Sequence, residues 1–121
     1  MTYSKGARVE REFMEKLNSY GFLTVRVAGS GKHGPDVLAF KGHRAYAFEI
    51  KAVDSDYLWI RQEQLDAIKD WNEKAGIEFF IAWKKEKKFY LIRPEELEGK
   101  SGIPFSRAKL IGRDFYYLVR E

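Results

Sequence analysis

Two short segments, Asp36–Phe40 and Ala45–Ala52, are apolar on both of their faces and are separated only by Lys41-Gly42-His43-Arg44. Side chains of a strand alternate between faces. Leu38, Phe40, Ala45 and Ala47 therefore fall on one side, and Val37, Ala39, Tyr46, Phe48 and Ile50 on the other. A strand apolar on both sides has to be covered on both sides, which makes this hairpin the centre of a layered α/β sheet. With Gly42 supplying the positive φ of a two-residue type II′ turn, Lys41 pairs with Arg44 and Asp36 falls opposite Glu49. Their Cβ atoms are then about 5 Å apart on one face. Lys51, two residues on, shares that face. Facing carboxylates in an apolar strand repel each other and resist desolvation, and a divalent cation with oxygen ligands relieves both penalties. Simple solvation at the open end of the sheet is the alternative reading.

The flanking segments supply the rest of such a fold. Ser4–Tyr20 reads as a helix stopped by Gly21, and Leu23–Val27 as an extended run. Ala28–Pro35 is a Gly-rich loop. Ile60–Ala75 reads as a second helix stopped by Gly76, and Ile77–Lys84 and Phe89–Arg93 as two strands. The order is α-β-β-β-α-β-β in one domain, residues 1–121. Pro94-Glu95-Glu96-Leu97 reads as one helical turn. Lys109–Ile111 and Phe115–Val119 are expected to be a last pair of strands, with Phe115–Leu118 in the core or at an interface. The run Lys84-Lys85-Glu86-Lys87-Lys88 is expected to be a solvated hairpin tip.

Each helix carries one polar residue on its apolar stripe. In the first, Val9, Phe13, Leu17 and Tyr20 form the stripe, and Glu10 falls inside it. A carboxylate there needs a partner or a cation, unless it sits at the stripe's edge near the favourable helix N-terminus. In the second, Gln64 lies among Ile60, Ala67, Ile68, Trp71 and Ala75, where it either bonds backbone or supports a site behind its ligands.

Composition narrows the classes further. Lys and Arg number 22 against 18 Asp and Glu, a net charge of +4, which raises the prospect of a nucleic-acid partner. The absence of cysteine excludes disulfides and thiolate metal sites. No apolar run is long enough to span a membrane, and the first residues lack the apolar core of a signal peptide, so a cytoplasmic location is expected. Gly29-Ser30-Gly31-Lys32 lacks the spacing of a phosphate-binding loop, and His33 and His43 lack metal-ligand spacing.

In linear order the polar residues are Glu10, then Pro35-Asp36, then Glu49-Ile50-Lys51. This resembles the PD-(D/E)XK signature of restriction-endonuclease-like nucleases. The opening Lys5-Gly6-Ala7-Arg8-Val9-Glu10-Arg11-Glu12, then Gly21-Phe22, Arg26 and Ala28-Gly29-Ser30, are similar to the archaeal Holliday-junction resolvases, with distinctive landmarks from about residue 4 to 75. The resemblance implies a central mixed sheet flanked by helices, and a homodimer that nicks four-way DNA junctions with Mg²⁺, for which Mn²⁺ substitutes. On that basis Glu10, Ser30, Asp36, Glu49 and Lys51 are the expected catalytic residues. Glu10, Asp36, Glu49 and the Ile50 carbonyl are the expected metal ligands, hard oxygens that suit such ions. Lys51 would orient water or stabilise charge at the phosphate. Lys5, Arg11, Arg26 and Lys32 are the expected phosphate contacts. Rival readings are another repair or restriction-type nuclease of this fold, a DNA-binding module without catalysis, and an interaction domain.

Overall fold

The computed structural model describes residues 5–27, 34–98 and 101–120, with only the backbone of Lys5. Its elements are α1 (Lys5–Ser19), β1 (Leu23–Arg26), β2 (Val37–Lys41), β3 (Arg44–Ala52), β4 (Tyr57–Trp59), α2 (Gln62–Ala75), β5 (Glu78–Lys85), β6 (Lys88–Ile92), a 3-10 turn (Pro94–Glu96), β7 (Gly102–Pro104), α3 (Phe105–Ile111) and α4 (Phe115–Val119).

The main sheet runs β1-β2-β3-β5-β6. β3 is its central strand, antiparallel to β2 and parallel to β5, with α2 in the crossover between them. The hairpin has the register read from the sequence, from Lys41↔Arg44 to Val37↔Phe48. Gly42 has φ +60° and His43 does not share a positive φ, as a type II′ turn requires.

Alternation along β2 and β3 feeds two cores. On one face Val9, Phe13 and Leu17 of α1 pack on Val37, Ala39, Tyr46 and Phe48, with Phe80 and Leu91 beside them. The rings of Phe13 and Phe48 meet edge-on at 4.8 Å. On the other face Ile68 of α2 and Phe105 and Ala108 of α3 cover Ala47, Phe79, Ile81 and Trp83. Full burial of each Phe or Leu is worth about 1.5–3 kcal/mol, so both covers are needed to hold the central strand. α2 starts at Gln62, and Ile60, expected within it, is buried just ahead of it.

The C-terminal tail departs from the expected pair of strands. Residues 105–111 and 115–119 are helices. Phe115 and Leu118 are buried while Tyr116 is exposed, which is helical spacing rather than strand alternation. Asp114 caps α4 by accepting the Tyr117 N–H at 3.2 Å, and Arg44 donates to the carbonyls of Leu118 and Arg120 at 2.7 Å each. Aromatic and branched residues favour strands locally, but here the α1 face of the sheet offers them a cover position.

A second, two-stranded sheet pairs β4 with β7, a feature with no periodic signal in the sequence. Gly102 lies under Tyr57, and a Cβ there would stand 2.2 Å from the ring and 2.9 Å from the Leu58 carbonyl oxygen. The lysine run forms a hairpin tip as expected, between β5 and β6, but its first two residues are not simply solvated. Lys84 and Lys85 are strand residues, anchored on Glu12 and on the Asp54 carbonyl, and only Glu86 and Lys87 form the turn.

Candidate active site

Asp36 is the first residue outside the β2–β3 ladder. Pro35, which has no N–H to pair, is buried just before it. The Asp36 N–H donates to the Phe48 carbonyl at 2.8 Å, and the Asp36 carbonyl accepts from the Val27 N–H at 2.9 Å. Its Oδ2 accepts the Ile50 N–H at 2.8 Å. The expected pairing with Glu49 is therefore offset: the backbone of Asp36 bonds one residue short of it, and the side chain replaces the next rung. A residue's N–H and C=O leave an extended strand by the same edge. The Ile50 carbonyl thus also points to the edge where the β2 ladder has ended.

Glu49 is the one buried charged residue among those described, with 7% of its surface exposed. Its Oε2 lies 3.5 Å from Lys51 Nζ and accepts from Gln64 Nε2 at 3.4 Å. Lys51 Nζ donates to Gln64 Oε1 at 3.2 Å. Gln64 sits in the first turn of α2, so that helix closes a triangle with two side chains of β3.

The electrostatics follow from this placement. Burial and then the charge of Asp36 raise Glu49 from its usual 4.5 to about 7, against the pull of Lys51. Asp36 is raised as well, first by burial, with the Ile50 N–H opposing and the charge of Glu10 adding. The pair is short of positive charge. The two carboxylates, and the Ile50 carbonyl on the same strand edge, are hard oxygens, a set that suits Mg²⁺ or Mn²⁺ rather than a softer metal.

Glu10 stands apart from this pair. Its Oε1 accepts from Arg26 Nε at 3.0 Å, and its side chain is only partly buried. Among the described residues no three His, Asp or Glu side chains gather closely enough to hold a metal. The charge of Glu10 is nonetheless felt at Asp36, whose carboxyl it helps to raise. No local pattern marks the Glu10–Arg26 contact, because it joins α1 to the end of β1 only after folding.

Arg11 is exposed on α1, and Arg26 is 64% exposed in its side chain while holding Glu10. Ser30 and Lys32, and the side chain of Lys5, lie outside the described residues. No helix among the described residues is long and apolar enough to cross a membrane.

Comparison with known proteins gives a consistent picture. Residues 1–120 match the family described as archaeal Holliday junction resolvase (Hjc). The crossover junction endodeoxyribonuclease Hjc of Sulfolobus acidocaldarius is 31% identical over 97% of this chain and 87% of its own. That of Methanocaldococcus jannaschii is 30% identical over 97% and 88%. The solved structure of Archaeoglobus fulgidus Hjc, a Holliday junction resolvase from an archaeal hyperthermophile, superposes with a TM-score of 0.85 over 94% of each chain at 26% identity.

Proposed function

Since the chain belongs to the archaeal Holliday junction resolvase family, we propose that it nicks four-way DNA junctions by metal-dependent phosphodiester hydrolysis at Asp36, Glu49 and Lys51. The observation that carries this reading is the buried Glu49 beside Asp36, with Lys51 and Gln64 on the same carboxylate. A module that only binds DNA has no use for facing acids next to phosphate.

Asp36, Glu49 and the Ile50 carbonyl would hold Mg²⁺, with Mn²⁺ as a substitute. Bound there, such an ion supplies positive charge against the phosphate and makes water more acidic. The Ile50 N–H holds Asp36 in orientation. Lys51, kept in place by Glu49 and Gln64, presents its ammonium to the phosphate or to the attacking water. Glu10 adds negative charge at longer range and engages through water. Arg26 and Arg11, with Lys5 and Lys32, are the proposed backbone contacts, and Ser30 the proposed group at the scissile phosphate.

A homodimer suits a substrate of two-fold symmetry that needs two symmetric cuts. The exposed apolar side chains Leu23, Val25 and Phe40 on the β1–β2 edge support such a contact.

The test is a nicking assay with Mg²⁺ on a four-way junction and on linear duplex of matched sequence, using wild type and Asp36→Ala. Paired cuts near the branch, confined to the junction and lost in Asp36→Ala while binding persists, are expected. Equal cutting of linear duplex removes the junction specificity, and no cutting with Mg²⁺ or Mn²⁺ removes the nuclease reading.

A further inference from the structure

We propose that the β5–β6 hairpin tip, through Lys87 and Lys88 with Lys16 of α1, is a phosphate-binding contact for the DNA backbone beside the cleavage site, an inference that rests on the DNA reading above.

Position is the first reason. β3 and β5 run parallel, with Lys51 level with Trp83. β5 continues two residues further, to Lys85, which pairs with Lys88 across the hairpin. At about 3.3 Å per residue and about 4.8 Å per strand, the Cα of Lys88 stands about 12 Å from that of Lys51. The tip therefore projects from the catalytic end of the sheet. Its distance from Lys51 is close to the width of the B-DNA major groove, about 12 Å. Lys51 faces α2 while the cavity opens beside α1, so a duplex that meets Lys51 reaches the tip by crossing the end of the sheet.

The division of labour within the lysine run is the second reason. Lys84 is neutralised by Glu12, and Lys85 is held by the Asp54 carbonyl with Asp56 4.0 Å away. These two fasten the hairpin to α1 and to the loop after β3. Lys16, Lys87 and Lys88 are exposed and make no salt bridge among the described residues. They line one surface cavity of about 290 Å³ between α1 and the tip. Two carboxylates also line it: Glu12 is matched by Lys84, and Asp114 accepts the Tyr117 N–H as the cap of α4. Glu86, in the turn itself, is the remaining acid at the tip. The lysines are thus left in excess, as a phosphate site requires.

Rigidity is the third. Glu86 and Lys87 hold φ values of +55° and +68°, the geometry of a two-residue type I′ turn. A tight turn on two anchored strands presents its cations at fixed positions, which lowers the entropy lost on binding.

The experiment is equilibrium binding, without divalent metal, of a synthetic four-way junction and a linear duplex across a salt series. It compares wild type, Lys87→Gln/Lys88→Gln, Lys87→Arg/Lys88→Arg and a charge-matched control, Lys69→Gln/Lys109→Gln. The Gln pair is expected to lower the slope of log affinity against log salt by about 2 and to weaken binding about tenfold at low salt. The Arg pair is expected to bind as wild type does, and so is the control. A Gln pair with the wild-type slope, or a control that loses as much, overturns the tip contact while leaving the nuclease reading intact. Wild type that binds neither DNA overturns both. Thermal melting of each variant, together with the Arg pair, separates a lost contact from a lost fold.

Discussion

The carboxylate of Asp36 accepts the backbone N–H of Ile50 at 2.8 Å, so one of the two proposed catalytic acids is held by the strand that carries the other. Asp36→Asn keeps an oxygen for that N–H but removes the charge, whereas Asp36→Ala leaves the N–H without its partner. Both variants are expected to lose junction cutting by at least about a hundredfold. Only Asp36→Ala is expected to lose stability as well, by about 1–3 kcal/mol. Nicking rates and denaturant melts on the two proteins check this; equal stabilities would show that the bond contributes nothing to the fold.

Glu49 makes the metal-free protein sensitive to pH. Its folded value of about 7 lies above its usual 4.5, so the folded state binds this proton more tightly than the unfolded chain does. The stability it contributes is fully present below about pH 4.5 and is lost as pH rises to about 7. Glu49→Gln cannot titrate and is expected to show a flatter melting temperature across that window. The difference between the two profiles reports Glu49 together with its interaction with Asp36, whose shift has the same sign, and separates both from Glu96, whose carboxyl Arg113 holds below its usual range. Added Mg²⁺ is expected to stabilise wild type more above pH 7 than at pH 5, since protons compete for the same oxygens.

Gln64 touches both Lys51 and Glu49, and its proposed role is to position them. Gln64→Ala is expected to slow cutting about tenfold with junction affinity unchanged, as for groups that orient ligands without meeting substrate. A loss in affinity with an unchanged single-turnover rate would instead make it a DNA contact.

Gly102 has no room for a side chain under Tyr57 and the Leu58 carbonyl. Gly102→Ala is expected to destabilise the protein by about 1–3 kcal/mol through forced movement of β4 against β7. Chemical denaturation measures it, and a neutral result would mean that the Tyr57 ring swings aside at no cost.

At the hairpin tip, Glu86→Asn replaces a residue that resists a left-handed backbone with one that tolerates it. A gain of about 1 kcal/mol in stability is expected. Junction binding is expected to tighten as well, because an acid leaves the neighbourhood of Lys87 and Lys88. Weaker binding at unchanged stability would place Glu86 itself in contact with DNA bases.

The residues themselves determined the central hairpin. Alternation is a local, two-residue rhythm, and Gly42 selects a turn that admits one register, so Asp36, Glu49 and Lys51 could be grouped before any fold was known. The odd polar residue on each helical stripe was visible for the same reason, since helical periodicity is also local. Tertiary structure decided where those residues ended up. Pro35 and the edge of β1 moved Asp36 out of the ladder and onto the Ile50 N–H. Arg26 at the end of β1 took Glu10 as its ion-pair partner, and α2 brought Gln64 onto both Glu49 and Lys51. Phe115–Val119 became a helix because the α1 face of the sheet needed a cover more than the sheet needed another strand. The lysine tip gained its place at the same end of the sheet as Glu49 and Lys51 from the parallel β3–β5 crossover. Each of these outcomes depends on contacts between segments distant in sequence, whose energy exceeds local preference and leaves no periodic trace in the chain.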